Sequence, residues 1–152
     1  MAYNVTLETV VAVPIAAARR RVMIPQITSA WKPALDQVWA LLRAHPELEP
    51  GGNVFLYHHP TRREDPMDID FGVQVGGEFP AEGEVFCTKT PAGQVATTLH
   101  RGPYDGLSAA HNAIHGWCSA NGKQIGGESW EIYSDWNDDQ ARLETRIMYL
   151  LR

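Results

Sequence analysis

The sequence predicts an α+β fold in which two similar strand-helix-strand-strand repeats form one antiparallel sheet with two helices on one side. Each half of the chain shows the same order of apolar segments, with one segment of helical period among short strand-like ones. The run GGNVFLY at 51–57 also echoes GGESWEIY at 126–133. We therefore expect one domain over residues 1–152, with repeats of about 1–80 and 81–152 and a ligand cleft between them.

The first half contains one helix signal among strand signals. Its predicted elements are a strand at 5–13, an irregular stretch between Pro14 and Pro25, a helix from 28 or 29 to 44, and strands at 53–58 and 67–75. The helix has apolar residues on one face, namely Leu35, Val38, Trp39 and Leu42. In the last strand, Asp68 and Asp70 alternate with apolar residues. We interpret them as outward-facing acids that aid solubility, with an acid-base pair as the alternative.

The second half repeats this order. Its predicted elements are a short leading strand at 85–89, a strand at 94–100, a helix from 104 or 107 to 120, and strands at 129–133 and 141–151. Gly102-Pro103 breaks the chain before the helix, and Asn121-Gly122 ends it.

Composition excludes several classes of function. A formal net charge of -5 argues against direct nucleic-acid binding, and Arg19-Arg20-Arg21 is interpreted as a solvated flank. Cys87 and Cys118 have no CxxC spacing, which favours a reducing, cytoplasmic setting. No apolar run reaches the ~18 residues of a membrane helix, and no signal peptide is recognised. A membrane partner is therefore not expected.

Glu131 is a carboxylate inside a strand that otherwise favours burial. Residues alternate along a strand, so Trp130 and Ile132 face one way while Ser129, Glu131 and Tyr133 face the other. If both faces are covered, the buried charge needs a partner or a shifted pKa, and a bulky cationic ligand is one such partner. If this face of the strand is exposed to solvent, Glu131 is an ordinary surface residue.

Tryptophan is abundant, with five residues in the chain. Trp39 and Trp117 fall on helix faces and are expected in the core, whereas Trp31, Trp130 and Trp136 are expected near the cleft or its rim. Aromatic walls with one acid suit a flat lipophilic cation, through cation-π attraction of roughly 0.5–2 kcal/mol per ring.

The run PAGQVATTLHRGPYDGLSAAHNAIHGWCSANG, followed by GGESWEIY and RLETRIMYL, resembles the gyrase-inhibitor-like (GyrI-like) effector-binding family. The resemblance extends over essentially the whole chain. It implies a duplicated fold with a ligand cleft between the repeats, which in family members fused to DNA-binding modules binds lipophilic, often cationic drugs. It also implies that Glu131 is the pocket glutamate. Tyr133, on the same strand face, and Tyr57, on the echoing strand of the first half, are candidate neighbours in the site.

One position departs from the family pattern. Closing strands in the family commonly read RTEI, whereas this chain has Arg146 where an acid is expected. If Arg146 faces the cleft, it pairs with Glu131 and favours neutral or anionic ligands. If it faces solvent, the site is unchanged.

A metal site is not expected. His111, His115 and Cys118 form one helical stripe of soft ligands, but no fourth ligand has a marked spacing. We interpret the stripe as a flank of the packed helix and expect no metal and no cofactor.

Three functions remain in competition. The first is a stand-alone protein that binds lipophilic small molecules for sequestration or sensing. The second, implied by the same resemblance, is a hydrolase that opens electrophilic cyclopropanes, with Glu131 as base and Tyr57 or Tyr133 as hydrogen-bond donor. The third is a module that binds DNA gyrase. Turnover of a bound electrophile separates the first two and a supercoiling assay identifies the third, while the sequence leaves the oligomeric state open.

Overall fold

A computed structural model describes residues 3–152 of the chain. Within these residues the chain forms two α-helices and eight β-strands. The helices are α1 (Ile27–Ala44) and α2 (Leu107–Ala120). The strands are β1 (Thr6–Val10), β2 (Pro14–Val22), β3 (Asn53–His58), β4 (Met67–Gln74), β5 (Val85–Lys89), β6 (Gly93–Arg101), β7 (Ile125–Tyr133) and β8 (Glu144–Leu151).

The strands form one antiparallel sheet in the order β1-β6-β8-β7-β3-β4-β2-β5, which confirms the predicted α+β class. This order is symmetric about the central β3–β7 pair. The edge strands are exchanged between the halves, because β1 pairs with β6 and β5 pairs with β2. The junction of the two halves therefore lies at the centre of the sheet.

Strand β2 corrects the prediction of an irregular stretch between Pro14 and Pro25. The predicted strand at 5–13 is shorter, and β2 follows it as the true first strand of the first half. Alanine favours helices over strands, yet Ala16, Ala17 and Ala18 are fully buried in the sheet. Tertiary packing overrides their propensity, since small side chains allow both faces of β2 to be covered.

The acids of β4 also differ from the prediction. Strand β4 lies between β3 and β2, and Asp70 is fully buried. Arg19 donates two hydrogen bonds to Asp70, at 2.7 and 3.1 Å, and His58 Nε2 lies 2.7 Å from its second oxygen. Arg21 pairs with Asp68 at 2.9 Å. Two arginines predicted to be a solvated flank therefore neutralise the acids of the neighbouring strand.

Both helices pack on the same face of the sheet. The apolar face of α1 covers β2 and β4, and that of α2 covers β6 and β8. A separate apolar cluster on the opposite face contains Trp130, Leu56 and Ile15. No helix among residues 3–152 is long and apolar enough to cross a membrane.

Candidate functional site

Helix α1 packs on β2 and β4 and helix α2 on β6 and β8, so the central strands β3 and β7 lie between the two helices. We call the space between the helices, above β3 and β7, the cleft. Register pairs Phe55 with Glu131 and Tyr57 with Ser129, and paired residues of antiparallel strands point to the same side. Tyr133, two residues beyond Glu131, shares that side. Phe55 packs in the core cluster of α1, so this is the helix-covered face. Alternation along β7, predicted from the sequence, thus places Glu131 and Tyr133 on one side, and the register between β3 and β7 adds Tyr57.

Glu131 has three hydrogen-bond donors within the protein. Its side chain is 5% exposed. The Tyr57 hydroxyl donates to Oε1 at 2.5 Å, and the Tyr133 hydroxyl donates to the same oxygen. His111 Nε2, from α2, lies 2.7 Å from Oε2. Two phenols and one imidazole therefore surround a carboxylate that is almost removed from water.

The surroundings favour the ionised carboxylate. Burial by itself would raise the pKa of Glu131, but the hydrogen bond and charge of His111, with the hydrogen bonds from Tyr133 and Tyr57, outweigh it and lower that pKa below its ordinary value. Burial raises the pKa of Tyr57 well above its ordinary value, and the charge of Glu131 raises it further. Both phenols of the site keep their protons as donors, since the pKa of Tyr133 is also raised by burial and by the charges of Tyr57 and Glu131.

The contacts continue from His111 to a second set of side chains. His111 Nδ1 lies 2.7 Å from the Tyr149 hydroxyl. Burial raises the pKa of Tyr149 to about 12. The His59 ring stacks on the Tyr149 ring with centroids 5.9 Å apart, and His59 Nε2 lies 2.7 Å from the Ser129 hydroxyl. The orientation of His111 is therefore fixed at both ring nitrogens.

Aromatic rings form the walls of the cleft at its other end. The Tyr133 ring contacts Phe55 edge-on at 4.9 Å and Tyr104 at 5.5 Å between centroids. Tyr104 in turn lies 6.2 Å from Trp136, and Trp31 lies 6.3 Å from Phe55. Trp31, Tyr104 and Trp136 are all partly exposed, at 37%, 38% and 62%. Trp31 and Trp136 are thus the exposed ends of this series of rings, and their role in ligand binding stays a prediction.

Trp130 and Arg146 do not join Glu131. Trp130 is buried in the apolar cluster of the opposite face, because alternation turns it away from its neighbour Glu131. Arg146 is paired with Ile132, which also faces that side. The placement of Trp130 near the cleft is therefore corrected, and Arg146 does not pair with Glu131.

His111 and Tyr104 are the residues that the sequence reasoning missed as parts of the site. His111 was considered only as a metal ligand, with His115 and Cys118. Among residues 3–152, no group of three or more His, Cys, Asp or Glu side chains is arranged to hold a metal ion. The helical stripe instead directs His111 to Glu131. The sequence feature that could have indicated Tyr104 is the Gly102-Pro103 turn directly before it. Gly102 has a φ of 121° in this turn.

Comparisons with known proteins agree with this fold. The sequence model of the GyrI-like small molecule binding domain matches residues 3–151. The EcmrR C-terminal domain is 24% identical, with a TM-score of 0.82 over 100% of this chain and 99% of that one. EcmrR in its DNA complex is 25% identical, with a TM-score of 0.81 over 99% of this chain, which spans 57% of the EcmrR chain. SAV2435 bound to tetraphenylphosphonium is 13% identical, with a TM-score of 0.74 over 100% of this chain and 94% of the SAV2435 chain. No curated protein sequence matches the chain.

Proposed function

The chain belongs to the GyrI-like small molecule binding family, and from this premise we propose that it binds lipophilic aromatic cations in the cleft over Glu131. The observation that carries the proposal is a nearly buried carboxylate, 4% exposed, that its hydrogen bonds keep ionised. A negative charge in a site of low dielectric attracts an incoming cation more strongly than one in water.

The aromatic rim supplies the second part of recognition. Trp31, Tyr104 and Trp136 offer partly exposed rings. Tyr104 contacts Tyr133, which donates to the carboxylate. A cation over such a ring gains about 0.5–2 kcal/mol, and burial of flat apolar surface adds ~25 cal/mol per Å². A charged but poorly hydrated ligand therefore gains binding free energy from both the acid and the rings. A small hydrated cation loses its water of hydration and does not fill the cleft.

The structural neighbours support this class of ligand. Tetraphenylphosphonium, which SAV2435 binds, is a lipophilic cation. EcmrR is seen in complex with DNA, so a domain of this fold also occurs in a DNA-bound protein. Binding of the ligand is the first step of both sequestration and sensing, and we propose that this chain serves one of the two.

Binding of a cation changes the contact between His111 and Glu131. It already holds Oε2 of Glu131 at 2.7 Å, and its side chain is 22% exposed at the edge of the cleft. The ligand cation therefore competes with His111 for one carboxylate oxygen, while Tyr57 and Tyr133 keep the other. Because α2 carries His111, the position of α2 affects the affinity for the ligand.

Hydrolysis is less well supported by the same geometry. A general base needs a free lone pair directed at the attacking water, and three donors already occupy most of the roughly four acceptor sites of the Glu131 carboxylate. Tyr57 and Tyr133 also direct their hydroxyl hydrogens to Glu131, so neither is free to donate to a substrate carbonyl. These contacts favour binding over turnover.

A pair of ligands of similar shape tests the proposal. Methyltriphenylphosphonium carries a positive charge, and triphenylphosphine oxide is neutral. In titration calorimetry we expect the cation to bind with micromolar affinity and at least about tenfold more tightly than the oxide, a difference of ~1.4 kcal/mol. Equal affinities for the two compounds would mean that the cleft does not recognise charge.

A further inference from the structure

A cavity of about 480 Å³ lies beside the carboxylate site. Its walls come from the loop after β3, which contributes His59, Arg63 and Asp65, and from α2, which contributes Asn112 and His115. Its volume falls in the range of small-molecule sites, roughly 300–1,000 Å³. Nothing in the proposed cation site uses this space.

The cavity is rich in basic side chains. Arg63 is permanently charged, and His59 and His115 line the same cavity. The neighbouring Arg62 is held by Glu64 at 2.6 Å, whereas Arg63 lines the cavity. Asp65 is the only acid among the lining residues that the structure describes. Arg63 and Asp65 carry opposite charges, so the cavity gains a net positive charge and attracts an anion when His59 or His115 is protonated.

This cavity adjoins the site of Glu131. The His59 ring stacks on Tyr57 with centroids 6.4 Å apart, and the Tyr57 hydroxyl donates to Glu131. His115 lies one helical turn from His111, the other partner of Glu131. A single layer of side chains thus separates the basic cavity from the buried acid.

We propose that this cavity binds an anionic group, carboxylate, sulfonate or phosphate, and that the preferred ligand is an amphoteric lipophile with its cation at Glu131 and its anion between Arg63 and His115. This inference rests on the proposed cation site for one end of the ligand. The other end is recognised by groups of opposite charge, and Asn112, which lines the same cavity, offers a neutral donor. The layout selects amphoteric ligands over simple cations of the same size.

Binding of the anion takes up protons. Burial lowers the pKa of His59, and the charges of His111, His115 and His58 lower it further. Burial, His111 and Arg63 lower the pKa of His115 in the same way. A bound anion opposes these effects and raises both pKa values, so affinity for the anion increases as pH falls toward the lowered pKa values of the free histidines, below the ordinary ~6.5. Asp65 and Glu131, the nearby acids, act against the anion at every pH at which they are ionised.

Two dyes that differ in one group test the inference. Tetramethylrhodamine carries a free carboxylate beside its cationic ring system, and its methyl ester keeps only the cation. By fluorescence anisotropy at pH 6.5, we expect the free acid to bind about tenfold more tightly than the ester. Arg63→Ala should remove this advantage and leave the affinity of the ester unchanged. Arg62→Ala, which changes an arginine outside the cavity, should retain it.

Benzenesulfonate separates this inference from the proposed cation site. Alone, it should shift the NMR signals of the His59 and His115 ring protons toward their protonated positions in the wild-type protein and not in Arg63→Ala. If the ester fails to bind while benzenesulfonate gives these shifts, the cation site is wrong and the anion cavity stands. Equal affinities for free acid and ester, or an absence of histidine shifts, would overturn the anion cavity.

Discussion

Replacing His111 with glutamine tests whether this residue competes with a ligand for Glu131. Glutamine keeps an N–H donor of similar reach but carries no charge. A hydrogen bond to a charged group contributes ~1.5–3 kcal/mol, and a flexible amide holds the carboxylate less firmly than an imidazole that is fixed at both ring nitrogens. Because reorganisation of α2 offsets part of this energy, we expect the affinity for methyltriphenylphosphonium to rise by about tenfold, or ~1.4 kcal/mol.

The same substitution should cost stability. A hydrogen bond to a charged group contributes ~1.5–3 kcal/mol, and the retained amide donor keeps part of it, so we expect a loss of about 1–2 kcal/mol in urea unfolding. The pKa of Glu131 is lowered in the folded protein. Ionised Glu131 therefore stabilises the folded protein above the pKa of the unfolded state, and this stabilisation is lost as pH falls through the pKa of the folded state. Because His111→Gln removes one cause of the lowered pKa, it should narrow the pH range between these two pKa values.

The control for this experiment is His115→Gln, one turn along α2 and without contact to Glu131. It should leave the affinity for the simple cation unchanged. The reasoning fails if His111→Gln weakens the cation while the neutral oxide binds as before. That result would make His111 part of the ligand-binding surface and not a competitor for the carboxylate.

Two further predictions concern the sheet that holds the site. The hydrogen bond to Asp70 raises the pKa of His58. The stabilisation that protonated His58 gives to the folded protein is therefore complete below the ordinary histidine pKa of ~6.5 and is lost as pH rises through the raised pKa. Urea unfolding at about pH 6 and about pH 9 should show this loss in the wild type but not in His58→Gln, and equal losses would assign it to another group. Gly72→Ala should cost about 1–3 kcal/mol in urea unfolding, because its Cβ would lie 2.7 Å from a backbone oxygen of β2. Gly77→Ala, with no atom within 4 Å of its Cβ, is the matched control and should stay within about 0.5 kcal/mol of the wild type.

The part of the site that could be predicted follows from local alternation. Glu131 and Tyr133 share one face of a strand whatever the register, and that period also places Trp130 on the other face. The side of Arg146 depends on the register between β7 and β8, and register is set by packing along the whole sheet. Sequence alone therefore left its position open.

The contact between His111 and Glu131 could not be read from the sequence for a related reason. It requires both the rotation of α2 about its axis and the position of that helix over β7. Strand β2 is not predicted because it begins at a proline and contains three alanines, and both residue types are depleted in strands. Its partners, Asp68 and Asp70, are 47 and 51 residues away along the chain. Such interactions appear only after the sheet is assembled.

The most direct test of the central claim is the affinity of Glu131→Gln for a matched cation and neutral compound. The substitution removes the charge and changes little in shape, and the amide oxygen can still accept from Tyr57 and Tyr133. In titration calorimetry we expect methyltriphenylphosphonium to lose at least about tenfold in affinity, or ~1.4 kcal/mol, while triphenylphosphine oxide changes less than about twofold. If both compounds weaken equally, or neither weakens, Glu131 does not recognise the charge of the ligand.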